Sequence, residues 1–234
     1  MNKDSNKLKE AIEKIKGFKT SANNVIVTYV KSDSDTSVSD DYFVVKDTDF
    51  LKERHIDKTF YYSIQGFFQN NTIMAKKMQV YVNNLLKNYE TNKNILLDLY
   101  AGVGTFGIIN SDLFKDVLIL ESVKECIDAA EKNIKTNNVE NVKALLLDAK
   151  NLKKLELKNN LFVITDPPRS GMHPKTIEEL NRIKPLVIIY VSCNIEQLSK
   201  DLLKFKSYKL NSVALFDLFP QTNHVEAVVE LVLS

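Results

Sequence analysis

Cysteine and histidine are scarce in this chain, with two and three respectively among 234 residues. Two cysteines, Cys126 and Cys193, exclude a disulfide framework, and so few soft ligands leave no set for a structural zinc site. No apolar run approaches the roughly 20 residues that a transmembrane helix needs, so no membrane partner is expected. The opening MNKDSNKLKEAIEKIKGF mixes lysines and acids where a secretory signal needs an unbroken apolar stretch, which predicts a cytoplasmic protein. Net charge is also small, at +2. It does not by itself suggest nucleic acid, because phosphate binding needs a local basic surface rather than a large total. The 44% hydrophobic and 26% charged residues are ordinary for a globular protein, and the length allows one sizeable core plus a small appendage.

Leu8, Ala11, Ile12, Ile15 and Phe18 share one helical face, with Gly17 near the expected stop, so the first segment reads as a short amphipathic helix. Residues 24–29 have strand character, and KSDSDTSVSDD after them reads as an exposed polar loop. Residues 1 to about 62 thus form a small β-containing appendage. From Asn94 onward the pattern changes to NILLDLYAG, DVLILES, VKALLLDA, LFVITDPP, LVIIYVSC, SVALFDLF and VEAVVELVL. Short Val-, Ile- and Leu-rich runs are what strands buried on both faces look like. Their alternation with helices such as SVKECIDAAEKNIKTNN and HPKTIEELNRI predicts a parallel sheet with crossovers. No obvious helix separates the last two runs, which suits an antiparallel pair at the sheet edge.

The first of these runs ends in LLDLYAGVGTFG, where Gly102, Gly104 and Gly107 fit G-x-G-x-x-G between a strand and a helix. Glycine lets the chain turn tightly and a ligand approach the backbone. Glu121, closing the second run, is placed to accept hydrogen bonds from both hydroxyls of a ribose. A nucleoside-bearing cofactor follows, and a nicotinamide dinucleotide and S-adenosylmethionine both share this signature. Asp98 favours the second, since a carboxylate aimed into the loop suits a cationic methionine end better than a pyrophosphate. Asp148, closing the third run, has two readings: an adenine contact or a helix N-cap.

The fourth run delivers Asp166, Pro167, Pro168 and Arg169 to the carboxyl edge of the sheet, where open α/β sheets bind ligands. An Asp–Arg surface pair on a rigid proline turn is the bland alternative. The fifth run brings Cys193 to the same edge, where loop amides and Arg169 would favour its thiolate; Cys126, inside a helix, reads as a small packing residue. Glu226 opens the last run after Pro220, Gln221 and His224, and is placed to take a proton. A thiol paired with a carboxylate base suits methylation of an unreactive pyrimidine carbon. Uracil C5 becomes nucleophilic once a thiolate adds to C6, and a base must then remove the C5 proton.

With GFFQNN, LLDLYAGVGTFG, ITDPPRSG, VSCN and DLFPQTNHVE in this order, the chain resembles the RNA 5-methyluridine methyltransferase family. That family includes tRNA uridine-54 and 23S rRNA uridine enzymes. The resemblance implies an α/β, Rossmann-like class I methyltransferase fold: a seven-stranded, mostly parallel sheet with an antiparallel last strand. It implies that residues 63–234 are the S-adenosylmethionine-dependent catalytic domain, and that residues 1–62 are a truncated RNA-contacting appendage. It implies that Gln69, Tyr100, Glu121 and Asp166 hold cofactor or target base, with Thr105 beside them, and that Cys193 and Glu226 are nucleophile and proton acceptor. Arg169 joins Asp166 on the substrate. The RNA-binding barrel of many members, and the four cysteines that hold an iron–sulfur cluster in some, have no counterpart here. RNA, as tRNA or rRNA, is the expected substrate, with room for a protein partner that supplies RNA affinity. A base-amino methyltransferase and a non-catalytic RNA-binding subunit of the same fold are the competing readings.

Overall fold

The Val-, Ile- and Leu-rich runs that follow Asn94 become the seven strands of one sheet. The computed structural model describes residues 6–17, 19–28, 42–64, 66–157 and 160–234. It divides into two compact units, residues 1–53 with 61–68, and residues 54–60 with 69–234. The first holds α1 (Asn6–Lys16), then β1 (Val25–Thr28) paired antiparallel with β2 (Tyr42–Lys46). β3 (Phe50–His55) and β4 (Lys58–Ser63) pair with each other, and the division between the units passes through this hairpin. On α1, Ala11 and Ile12 are half-buried but Ile15 is exposed, so only part of the expected apolar face is covered. Phe18, Tyr29 and the polar run 31–41 lie outside the described residues.

The second unit opens with α2 (Thr72–Leu86), followed by β5 (Ile95–Leu99), α3 (Thr105–Ile109), β6 (Asp116–Glu121), α4 (Lys124–Thr136) and β7 (Val142–Leu146). β8 (Leu161–Thr165), α5 (Pro174–Ile183), β9 (Val187–Ser192), α6 (Ile195–Leu202), β10 (Tyr208–Phe216) and β11 (Glu226–Leu233) complete it. The helices start where side chains satisfy free amides. Asn71 Oδ1 accepts from Met74 N at 3.2 Å ahead of α2, and His173 Nδ1 accepts from Lys175 N at 3.2 Å ahead of α5, whose first residue is Pro174.

The strand order is β10-β11-β9-β8-β5-β6-β7. β5 pairs in parallel with both β6 and β8, so the chain winds one way from β5 to β7 and the other way through β8 and β9. The carboxyl ends of β5 and β8 therefore flank the topological switch, the usual ligand crevice of such a sheet. β11 runs antiparallel between β9 and β10, which matches the expected antiparallel last strand. Leu97, Leu99, Leu120, Val163, Ile188, Tyr190 and Val229 sit in one apolar core, as strands covered on both faces require. At the other end of the sheet, buried Glu230 accepts from Tyr89 Oη at 2.7 Å, Asn211 Nδ2 at 2.7 Å and Ser212 Oγ at 2.9 Å. An irregularity in the β10–β11 register between Leu210 and Ser212 brings two consecutive residues onto that carboxylate.

Asp98 locks the first crossover in place. It is fully buried in β5, and its Oδ2 accepts from Gly107 N in α3 at 2.7 Å. This carboxyl is pushed up to about 7: burial raises it most, the Gly107 amide lowers it and Glu121 raises it. A carboxyl that holds its proton more tightly when folded than when unfolded favours folding at low pH. That contribution is lost as pH rises from the ordinary 3.8 to about 7. Asp98→Asn keeps an acceptor for Gly107 and removes the titration. Between pH 5 and 8 the wild type should lose about 2 kcal/mol more stability than Asp98→Asn. Urea denaturation at both pH values measures this, and parallel losses in the two proteins would refute it.

Candidate active site

Glu121, Asp166 and Cys193, at the carboxyl ends of β6, β8 and β9, and Glu226, at the start of the antiparallel β11, lie at one edge of the sheet. After β5 the chain turns through Tyr100 at φ 58°, Gly102 at φ 53° and Gly104 at φ 84° before α3 begins at Thr105. A side chain at Gly104 would press on Ile119 Cδ1 at 2.7 Å, so glycine is required there for packing as well as for its dihedral. At Gly102 a side chain would meet open space, so the outer face of the loop is free for a ligand. Glu121, leaving β6, reaches back to this loop: its Oε2 accepts from Gly102 N at 3.1 Å, while Oε1 accepts from Ser122 N at 2.6 Å and Val123 N at 3.0 Å. The structure thus joins Glu121 to the glycine loop.

Asp98 serves the fold with one oxygen and leaves the other over. One of its oxygens is spent on Gly107; the other, Oδ1, is buried with no hydrogen-bond partner. Asp148 caps the short helical turn that follows β7, accepting from Lys150 N at 3.0 Å and pairing with Lys150 Nζ at 2.8 Å. Burial pushes it up, but the Lys150 hydrogen bonds prevail and hold it below the usual carboxylate range. Tyr100 reaches toward α5, where its hydroxyl accepts from His173 N at 3.3 Å and lies 3.4 Å from Thr176 Oγ1. Thr105, the first residue of α3, is half-buried. Gln69 is half-buried two residues ahead of the α2 cap, and among the described residues no hydrogen bond joins it to the glycine loop.

On the other side of the switch, Asp166 leaves β8 and Arg169 follows the two prolines. Instead of forming an ion pair with Arg169, Asp166 lies within electrostatic reach of Glu226 and Asp98. Burial first, then those two carboxylates, drive it well above the usual range. Arg169 is exposed, with Nη1 3.4 Å from His224 Nδ1, and its carbonyl accepts from Asn194 Nδ2 at 3.0 Å. The turn around Cys193 is fixed by its neighbours: Ser192 Oγ accepts from Asn194 N at 3.1 Å, and Asn194 Oδ1 accepts from Gln197 N at 3.2 Å to cap α6.

The pairing of β11 with β9 decides the rest. Val228 lies opposite Val191 and Ala227 opposite Ser192, and the next step of that register sets Glu226 against Cys193. Directly opposed residues on antiparallel strands share a face, with Cβ atoms about 5 Å apart. Glu226 is 4% exposed and its Oε2 has no partner; burial raises its carboxyl, and Arg169 lowers it. Cys193 is half-buried. Its thiol corrects the expectation of a favoured thiolate: burial and the Glu226 and Asp166 carboxylates outweigh the pull of Arg169 and hold it above its ordinary value. Cys126, half-buried on α4, is pushed up to about 11, by burial first and then by Glu121 and Glu125. Sequence reasoning missed Thr165, whose buried Oγ1 also lacks a partner; its place just before Asp166 was the available signal.

Three buried acceptors without partners, Asp98 Oδ1, Thr165 Oγ1 and Glu226 Oε2, therefore stand near the carboxyl edge of β5 and β8 and at the start of β11. Such a set asks for a ligand rich in donors and positive charge. Known proteins give this edge a family. Residues 5–233 match the tRNA (Uracil-5-)-methyltransferase family. A tRNA (uracil(54)-C(5))-methyltransferase of Pyrococcus abyssi is 36% identical over 86% of this chain and 47% of its own length. A 23S rRNA (uracil(747)-C(5))-methyltransferase of Xenorhabdus nematophila is 31% identical over 78% of this chain and 48% of its own. The crystal structure of the Pyrococcus abyssi enzyme in complex with S-adenosyl-L-homocysteine superimposes with a TM-score of 0.75 at 32% identity, covering 90% of this chain and 51% of that one. The chain spans about half the length of the curated relatives it matches. With its class I methyltransferase sheet and nearly all of its residues matched, it belongs to the tRNA (uracil-5-)-methyltransferase family.

Proposed function

We propose that this chain methylates carbon 5 of a uridine in RNA, using S-adenosylmethionine as donor and Cys193 as a covalent nucleophile. The observation that carries this reading is the β9–β11 register, which pairs Ala227 with Ser192 and so leaves Glu226 and Cys193 as the next residues of the two chains, within electrostatic reach of each other. Relatives named for tRNA and for 23S rRNA uridines support RNA as the substrate class. Residues 63–234 then act as the catalytic domain, and residues 1–62 contact RNA.

The residues present suit the donor. Glu121 and the open face of Gly102 would take the ribose end, and the partnerless acceptors near Asp98 would meet its cationic end. S-adenosylmethionine, when bound, supplies an electrophilic methyl carbon whose bond to sulfur breaks as C5 takes it. The protein's own part is covalent and acid–base chemistry. The Cys193 thiol gives up its proton to solvent, and the thiolate adds to C6 of the uracil, moving the C5=C6 electrons onto C5 and the C4 carbonyl oxygen. Arg169 offsets the negative charge that burial makes costly on Cys193 and Glu226. Asp166, disposed by its crowding to keep a proton, offers a hydrogen bond to a uracil carbonyl. After methylation, Glu226 takes the C5 proton, the C5–H electrons re-form C5=C6, and the C6–S bond breaks to release the thiolate. Burial makes the Glu226 carboxylate a stronger base than an exposed one.

Two experiments test the reading. Glu121→Ala should weaken S-adenosylmethionine binding by roughly ten- to a hundredfold, as expected for a lost charge-assisted contact; calorimetry that finds unchanged affinity would remove Glu121 from the donor site. Cys193→Ala should form no adduct with RNA. Glu226→Gln should add, methylate and then stall with RNA attached, because elimination needs the base. Denaturing gels show adducts as shifted bands, and nucleoside mass spectrometry shows product. A Cys193→Ala protein that still makes 5-methyluridine would end the covalent mechanism.

A further inference from the structure

Asp201 belongs to none of the motifs, yet it is the most heavily hydrogen-bonded buried carboxylate near the site. It lies on α6 and is fully buried. Its Oδ2 accepts from Met172 N at 3.0 Å and Tyr190 Oη at 2.8 Å; its Oδ1 accepts from Gln197 Nε2 at 3.1 Å and Lys204 Nζ at 2.8 Å. Three structural pieces converge on it: the loop after Asp166, the strand β9 that leads to Cys193, and the helix that follows Cys193.

The loop is pressed against this carboxylate. Gly171 N donates to Pro168 O at 2.8 Å, closing a tight turn, and Gly171 takes φ 80°. A methyl group added at Gly171 would run into Asp201 Oδ2 and the Gln197 side chain. Burying a carboxylate costs several kcal/mol unless good partners surround it, so four donors on one buried Asp mark a joint that specifies geometry. The piece held is the turn that carries Arg169, and Arg169 is the cation acting on both Cys193 and Glu226.

We propose that Asp201 is a positioning residue: through Met172 and Gly171 it clamps the turn that keeps the Arg169 guanidinium in electrostatic reach of Cys193 and Glu226. This rests on the methylation reading for its purpose, but its test does not. In a Cys126→Ser background, the rate at which iodoacetamide alkylates Cys193 is followed against pH without RNA or donor. Arg169→Ala removes the cation, so its alkylation profile should move to higher pH and its rate at pH 8 should fall by about three- to tenfold. Asp201→Ala should reproduce that shift, and Gly171→Ala, which forces the turn off an intact Asp201, should reproduce part of it. Combined with Arg169→Ala, neither should shift the profile further, because both act through the same guanidinium.

A merely structural Asp201 would lower the melting temperature and leave the profile in place. A folded Asp201→Ala protein with the wild-type profile, or a shift that adds to that of Arg169→Ala, overturns the proposal. Should Asp201→Ala fail to fold, Gly171→Ala decides by the same two criteria. Adduct formation between wild type and 5-fluorouridine RNA is scored separately. Its absence would sink the methylation reading while the alkylation series still decides on Asp201.

Discussion

Antiparallel pairing between β9 and β11 is the constraint on which the site depends. Backbone hydrogen bonds set this register over six residue pairs, and a slip of one residue would turn every side chain of β11 to the other face of the sheet. Such a slip would also carry Glu226 away from Cys193. The apolar burial of Val228, Val229 and Leu231 therefore protects a chemical pairing as well as a core. The reversal of strand direction matters too. The parallel strands present their carboxyl ends to the crevice, so only an antiparallel strand can offer its first residue there.

The same edge concentrates negative charge. Asp98, Asp166 and Glu226 act on one another or on their neighbours at low dielectric, and two of them keep an oxygen with no partner. Each carboxyl answers by holding its proton more tightly than an exposed one does. Arg169 is the counterweight on the far side, and its own placement is set by backbone contacts at Asn194 and at the Asp201 clamp. Stability and function pull in opposite directions at this edge, as is common where ligands complete the set of partners.

Much of this was legible in the sequence. The seven apolar runs named the seven strands because strands covered on both faces need continuous Val, Ile and Leu, whatever the partner strand. Glycine spacing placed the turn after β5, and the ends of the runs placed Glu121, Asp166, Cys193 and Glu226 on one edge. What stayed hidden depends on atoms distant in the chain. That one oxygen of Asp98 is taken by Gly107 in the next helix is not visible in the motif. Asp148 became a cap because Lys150 lies two residues on, a local alternative the sequence had left open. α2 escaped notice because polar Gln79 sits within its buried stripe of Ala75, Met78, Val82 and Leu86, and α6 because eight residues hold too few turns to show a period. The net direction of the Cys193 thiol is a balance of burial against three charges, which no motif records.

That balance has a consequence for the redox chemistry of the thiol. Oxidants such as peroxide attack the thiolate, and the thiol is far slower to react. A thiol whose surroundings favour the protonated form is thereby less open to sulfenic and sulfinic acid formation. At Cys193 burial does most to favour that form, and the Glu226 and Asp166 carboxylates add to it.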